Sequence, residues 1–205
     1  MPTSADTRLL EAIDLYTGVT GRVDDARAHD LLLAAAEDRD DALSQMWMAR
    51  VLSRGRMGFE RDEPRAREIA DLFIASVRAL AARGDIEAIF LMGTAYDEGL
   101  GVEVDYPEAV RWYRLAGERE HVLGMHNLGN VYRDGRGVEV DHVAAAQWWL
   151  RAARVGDAIT QLRLGEAYEA GRGAAQNLDE AISWYEKAAA AGNATAAEAL
   201  NRLRG

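Results

Sequence analysis

One set of residue types returns every 36 positions along this chain, and that recurrence constrains the fold more than any other feature. Tyr96, Tyr132 and Tyr168 share the phase, as do Gly93, Gly129 and Gly165. Gly99, Gly135 and Gly171 recur as well, each followed two positions later by Gly101, Gly137 and Gly173. Further on come Ala109, Ala145 and Ala181, then Trp112, Trp148 and Trp184, then Tyr113, Trp149 and Tyr185. A period of roughly 20–50 residues marks units that cannot bury an apolar face alone and must stack on their neighbours.

Each unit reads as two helices. In Leu128-Gly129-Asn130-Val131-Tyr132, the leucine and tyrosine lie four apart and share a helical face. A glycine inside that helix costs about 1 kcal/mol against alanine, so its recurrence predicts a close approach by the next helix. The Gly-x-Gly pair predicts the helix end, because glycine readily takes the left-handed cap conformation. A second helix follows from its own start signals: Asp105-Tyr106-Pro107-Glu108, Asp141, and Asn177-Leu178-Asp179-Glu180. Ala, Trp and Ala at spacings of three and four make its buried stripe, with Trp149, one position later, partly exposed.

The first 85 residues are degenerate. Ala49, Leu52 and Gly55 stand for Gly93, Tyr96 and Gly99, and an insertion of about eight residues is needed near 55–64, before a long helix over 65–83. Leu9, Leu10, Ile13 and Tyr16 predict a first helix, Gly18 to Val23 a turn, and Ala26 to Glu37 a second helix. Residues 194–204 read as an amphipathic cap, with Ala197, Leu200 and Leu203 on its apolar face. The expected architecture is all-α: a single domain, 1–205, with degenerate units 8–41 and 42–85, regular units 86–121, 122–157 and 158–193, and a capping helix 194–204.

Composition agrees with this and excludes several functions. Hydrophobic residues make up 49% of the chain, enough for one continuous core. The formal net charge of −10, with no basic stripe, argues against nucleic acid and anionic membrane surfaces as partners. There is no cysteine, so disulfides, thiolate zinc sites and cysteine nucleophiles are excluded. No apolar run approaches the length needed to span a membrane, and the first residues lack an apolar leader, which predicts a cytoplasmic protein. Twenty-three of the 24 basic residues are arginine; with the alanine richness this points to a high-GC bacterial genome.

The stretches Met92–Val102, Leu128–Val138 and Leu164–Gly173, each with its following Ala-x-x-aromatic segment, resemble the Sel-1-like repeat family. That family is related to the tetratricopeptide repeats, whose period is about 34 residues. The resemblance implies a right-handed α/α superhelix of about five helix–turn–helix units and a role as a non-catalytic adaptor or scaffold. The absence of cysteine departs from the family's disulfide-bearing secreted branch.

Chemistry is sparse. The Gly-x-Gly turns lack the strand before and the Lys-Ser/Thr after that phosphate loops need. His29, His121, His126 and His142 form no His-Glu-x-x-His pair, so no metal site is expected. No serine lies in a Gly-x-Ser-x-Gly elbow, and neither a catalytic constellation nor a cofactor is expected.

Repeat proteins bind along the concave surface, which the first helices line. The positions expected to be exposed there are Leu91, Asn127 and Arg163, then Thr94, Asn130 and Glu166, then Asp97, Arg133 and Glu169. Trp47, Arg50 and Ser53 are their counterparts in the degenerate unit. Trp47 and Leu91 read as an apolar anchor beside polar Asn127, Asn130 and Arg163; packing of Trp47 under the insertion is the competing reading. Three functions follow. The first is a protein- or peptide-binding adaptor using the groove residues Trp47, Arg50, Leu91, Thr94, Asn127, Asn130, Arg163 and Glu166. The second is an enzyme or enzyme subunit built on groove residues such as His126 and Glu166. The third is a protein that self-associates as a homo-oligomer through an exposed face.

Overall fold

A computed structural model describes residues 5–205, so the expectation about a leader at residues 1–4 lies outside the described residues. The described residues form eleven helices and no strand. They are α1 (Thr7–Thr17), α2 (Asp25–Ala35), α3 (Ala42–Arg54), α4 (Glu63–Ala82), α5 (Ile86–Glu98) and α6 (Tyr106–Glu118). Then follow α7 (Val122–Asp134), α8 (His142–Val155), α9 (Ala158–Ala170), α10 (Leu178–Ala190) and α11 (Ala194–Arg204). Each helix packs on the next, giving five helix pairs and a terminal helix on α10.

The helix starts are capped as short polar side chains allow. Asp105, Asp141 and Asn177 accept backbone N–H bonds at the heads of α6, α8 and α10. His121 does the same for α7, its Nδ1 accepting from the Gly124 N–H at 3.1 Å. Glu108, in the capping-box position, pairs instead with Arg111.

The glycines answer to two packing demands. A Cβ at Gly93 would sit 2.5 Å from the Tyr113 ring, and Gly129 and Gly165 face Trp149 and Tyr185 in the same way. The close approach inside each pair is thus an aromatic ring from the second helix lying on the first. Gly99, Gly135 and Gly171 take left-handed dihedrals and end their helices. The second glycine of each turn meets the preceding unit: a Cβ at Gly137 would fall on the Tyr106–Pro107 backbone at the head of α6.

Two expectations are corrected here. The consistently buried ladder is Tyr113, Trp149 and Tyr185, one position after the expected one. Trp112 and Trp148 are half-buried, although Trp184 is buried. The cation of Arg151 lies 4.5 Å from the Trp148 ring centre and that of Lys187 3.7 Å from Trp184, covering these rings. The second correction concerns the insertion. The turn Gly55–Asp62 is only one residue longer than Gly99–Asp105, whereas α4 has 20 residues against 13 in α6. Most of the extra sequence lengthens a helix by about two turns.

The first pair also reaches the last. The Val23 N–H donates to the Ala191 carbonyl at 2.7 Å. A Cβ at Gly156 would lie 3.0 Å from the Val19 carbonyl oxygen, and one at Gly18 3.1 Å from Ala158. The loop between α1 and α2 therefore closes the superhelix against the turns that precede α9 and α11.

Candidate functional site

Inside this closure lies a cavity of about 610 Å³. Its wall comes mainly from the first helix of each pair. Tyr16 from α1, Arg50 from α3, Asp97 and Glu98 from α5, Asn127 and Asn130 from α7, and Ile159 and Arg163 from α9 all face it. The register that puts the aromatic-facing glycines of α5, α7 and α9 toward their second helices turns these polar positions toward the cavity.

Of the eight expected groove residues, Arg50, Asn127, Asn130 and Arg163 line this cavity. Glu166 is exposed and pairs with Arg163 at 2.8 Å. The expectation of exposure fails for Trp47, Leu91 and Thr94, all buried in the core, and also for Ser53, Asp97 and Arg50, the last two buried although they line the cavity. The first helices α3, α5 and α7 also pack against one another, so positions left half-buried or exposed in α7 and α9 are covered in α3 and α5. Trp47 is packed in the core instead. Its Nε1–H donates to Glu87 Oε1 at 2.6 Å, and its ring tilts against Phe90 with centroids 5.8 Å apart. The other Glu87 oxygen bonds His121 Nε2 at 3.0 Å. Burial pushes the Glu87 carboxyl up, but His121, Trp47 and Arg50 outweigh it and hold it below the usual range.

The sequence reading missed much of the basic wall. Arg54, Arg56 and Arg136 also line the cavity, with Tyr16 and Ile159. These arginines lie at helix ends and in turns, outside the helical phase used to locate groove positions. Glu98 holds two of them, Arg56 at 2.6 Å and Arg54 at 3.1 Å, and accepts the Ser53 hydroxyl at 2.5 Å. Burial raises its pKa, yet Arg56, Ser53 and Arg50 bring it below the ordinary value. Asp97 bonds Arg136, and Asp134 bonds Arg133.

Arg50 is different. Only 3% of it is exposed, and its Nε and Nη1 find no hydrogen-bond partner among the described residues. Aromatic rings surround it: Trp47 at 4.5 Å, Phe90 at 5.3 Å and Tyr16 at 5.9 Å from its guanidinium carbon. Burial, reinforced by Arg56, pulls its pKa below the ordinary value, but a guanidinium stays charged at neutral pH. Arg163 Nε and Asn130 Oδ1 also lack partners.

His126 is engaged in a different way. Its Nδ1 lies 2.9 Å from Thr160 Oγ1, and its Nε2 lies 2.9 Å from Asn130 Nδ2. Thr160 in turn donates to Asp157. With Nδ1 donating and Nε2 accepting, the ring bridges α7 and α9, and both nitrogens are occupied. Among the described residues no group of three or more His, Asp or Glu side chains could hold a metal. No described helix is long and apolar enough to cross a membrane.

Stacked helix pairs with a turn glycine seated on the preceding pair, closed around a polar cavity, define an α/α solenoid. The Sel1 repeat model matches residues 42–70, 86–121, 122–157 and 158–193. The chain belongs to the Sel1 repeat family. It is 28% identical to a solved Sel1 repeat protein from Oxalobacter formigenes, over 94% of this chain and 73% of that one, with a TM-score of 0.60. It is 25% identical to c5321, a protective antigen of uropathogenic Escherichia coli displaying an SLR fold, with a TM-score of 0.63. That match takes in 98% of this chain and 49% of the antigen, so this chain spans about half its length. Cysteine rich protein B of Helicobacter pylori, 24% identical over 62% of this chain and 96% of its own, has the same fold at a TM-score of 0.51. No match was found among curated proteins.

Proposed function

We propose that this protein is a non-catalytic adaptor that holds a protein or peptide partner in the cavity formed by its first helices. Sel1 repeat proteins are generally protein-interaction scaffolds. The observation that carries the reading here is the cavity wall itself. Asn127, Asn130 and Arg163 face a space large enough for a few side chains, and two of them carry polar atoms without partners. A buried polar atom left unpaired costs about 1–3 kcal/mol, a cost that a bound ligand removes.

The test is capture from a lysate of the source cells, with two double variants beside wild type. Asn127→Ala/Arg163→Ala should lose the partners that wild type retains, while its Tm moves by only a few degrees. Leu72→Ala/Arg78→Ala, on the exposed side of α4, should retain them. Equal capture by the two variants would remove the cavity from consideration.

A further inference from the structure

We propose that the cavity takes an oxyanion, a phosphate or carboxylate group of the ligand, and that Arg50 is its principal cation. This deepens the reading of the cavity as the binding surface by naming the chemistry it recognises.

The argument begins with charge. The chain as a whole carries −10, yet the cavity wall has six arginines against three carboxylates, Asp97, Glu98 and Asp134. A positive site in an acidic protein selects anions against its own surroundings. The carboxylates are already engaged: Glu98 with Arg54 and Arg56, Asp97 with Arg136, Asp134 with Arg133. None reaches Arg50, which forms no ion pair among the described residues.

A buried guanidinium without hydrogen bonds is costly, because desolvation of its charge is not returned by a partner. The rings of Tyr16, Trp47 and Phe90 soften that cost through cation–π attraction but leave the N–H donors unfilled. Three rings packed around the group also restrict its rotamers, so less freedom is lost when a ligand reaches it from the cavity that Arg50 lines. A planar fork of donors suits an oxyanion, which accepts two parallel bonds from it. Arg163, from α9, carries a second unpartnered donor on Nε while its Nη1 pairs with Glu166, and Asn127 and Tyr16 add polar groups to the same lining. The ligand would thus bridge the N-terminal and C-terminal halves of the superhelix.

Thermal unfolding with small probes tests this directly. Sodium phosphate and sodium citrate are each compared with sodium chloride at matched ionic strength. Either oxyanion should raise the wild-type Tm above the chloride value by roughly 2–4 °C once well above its dissociation constant. Response to phosphate alone identifies a phosphate site, response to citrate alone a carboxylate site, and response to both a general oxyanion site. In Arg50→Met the unliganded Tm should rise, because an uncompensated charge has been removed, and the oxyanion response should vanish. Arg50→Lys keeps the charge without the fork and should weaken the response about tenfold in concentration. It also decides the matter if Arg50→Met fails to fold.

A wild-type response no greater than that to chloride overturns the proposal. So does a full response in either Arg50 variant. If the anions fail while Asn127→Ala/Arg163→Ala still loses partner capture, the cavity remains the binding surface and only its chemistry is wrong. If capture is unaffected but the anions bind, the oxyanion site stands and the adaptor reading falls.

Discussion

Glu98 holds the rim of the cavity at the level of single side chains. It is the shared acceptor for Arg54, Arg56 and Ser53. Its carboxyl sits below the ordinary value in the folded state, because those partners outweigh its burial. A depressed folded pKa fixes the sign of the pH dependence. The stabilisation is fully present above the unfolded value of 4.5 and is lost as pH falls through the lower folded value. Glu98→Gln should therefore destabilise the protein by about 3 kcal/mol at pH 7, since it strands buried arginine charge. Its stability should fall less steeply than wild type below about pH 4.5, so that the two curves converge in acid. Urea unfolding between pH 3 and 7 measures both. Parallel acid limbs would show that Glu98 is not the titrating group. The pairing of second-helix aromatics was only half legible in the sequence. Tyr113 bonds Asp97 and Tyr185 bonds Glu169, at 3.4 and 2.7 Å, whereas the equivalent Trp149 lies under Arg133 at 5.8 Å. A phenol needs an acceptor and an indole offers a face to a cation, so each unit changes both residues together. The periodicity marks these positions. It does not say which of two adjacent aromatics turns inward, so the same phase marks Trp184, which is buried, and Trp112 and Trp148, which are only half-buried.

At the scale of helices and turns, the Gly-x-Gly motif joins one unit to the next. Its first glycine ends a helix; its second seats the turn on the preceding pair. Gly137 and Gly21 separate the two costs of replacing such a residue. Both have positive φ, 73° and 91°, but an added Cβ meets nothing within 4 Å at Gly21 and meets backbone at Gly137. Gly21→Ala should cost about 1 kcal/mol, the price of left-handed backbone alone. Gly137→Ala should cost about 1–3 kcal/mol more, because α6 must move away. Denaturant midpoints of the two variants give the difference directly, and equal midpoints would mean that the turn is not seated on α6. The helical elements were readable because caps, glycines and apolar stripes agree. The place of the extra sequence before residue 70 was not. Asp62-Glu63-Pro64 is a helix start of the same kind as Asp105-Tyr106-Pro107, so nothing local distinguishes a longer turn from a longer helix. In α4 the added turns carry Ala66 and Ile69 onto the core and leave Arg65, Arg67 and Glu68 in solvent. That pattern continues the amphipathic stripe without a break.

For the whole molecule, the decisive contact is one that no period in the sequence could announce. Repeat proteins are stabilised mainly between neighbours, and their ends are ordinarily far apart. Here the α1–α2 loop meets the turns before α9 and α11, through the Val23–Ala191 bond and the packing of Gly18 and Val19 on Ala158 and Gly156. The residues involved are small or have ordinary side chains, and the bond is made by backbone. Closure brings Tyr16 to the same cavity lining as Ile159 and Arg163, a proximity that the 36-residue period does not encode. The closure joins the first unit to the fourth and fifth through a few loop contacts, so breaking it should separate the ends while leaving the helix pairs folded. Ala158 is fully buried at this joint, and Ala158→Arg puts a long charged side chain where the loop must pack. The helix content by circular dichroism should stay unchanged, while the radius of gyration from solution scattering increases. Hydrogen exchange at the Val23 amide should accelerate at least about tenfold, which corresponds to about 1.4 kcal/mol of lost closure. If the wild-type Val23 amide already exchanges as fast as an exposed loop, the superhelix is open in solution. The cavity would then be a groove accessible along its length, with Arg50 and Arg163 presented to an extended partner and not to an enclosed group.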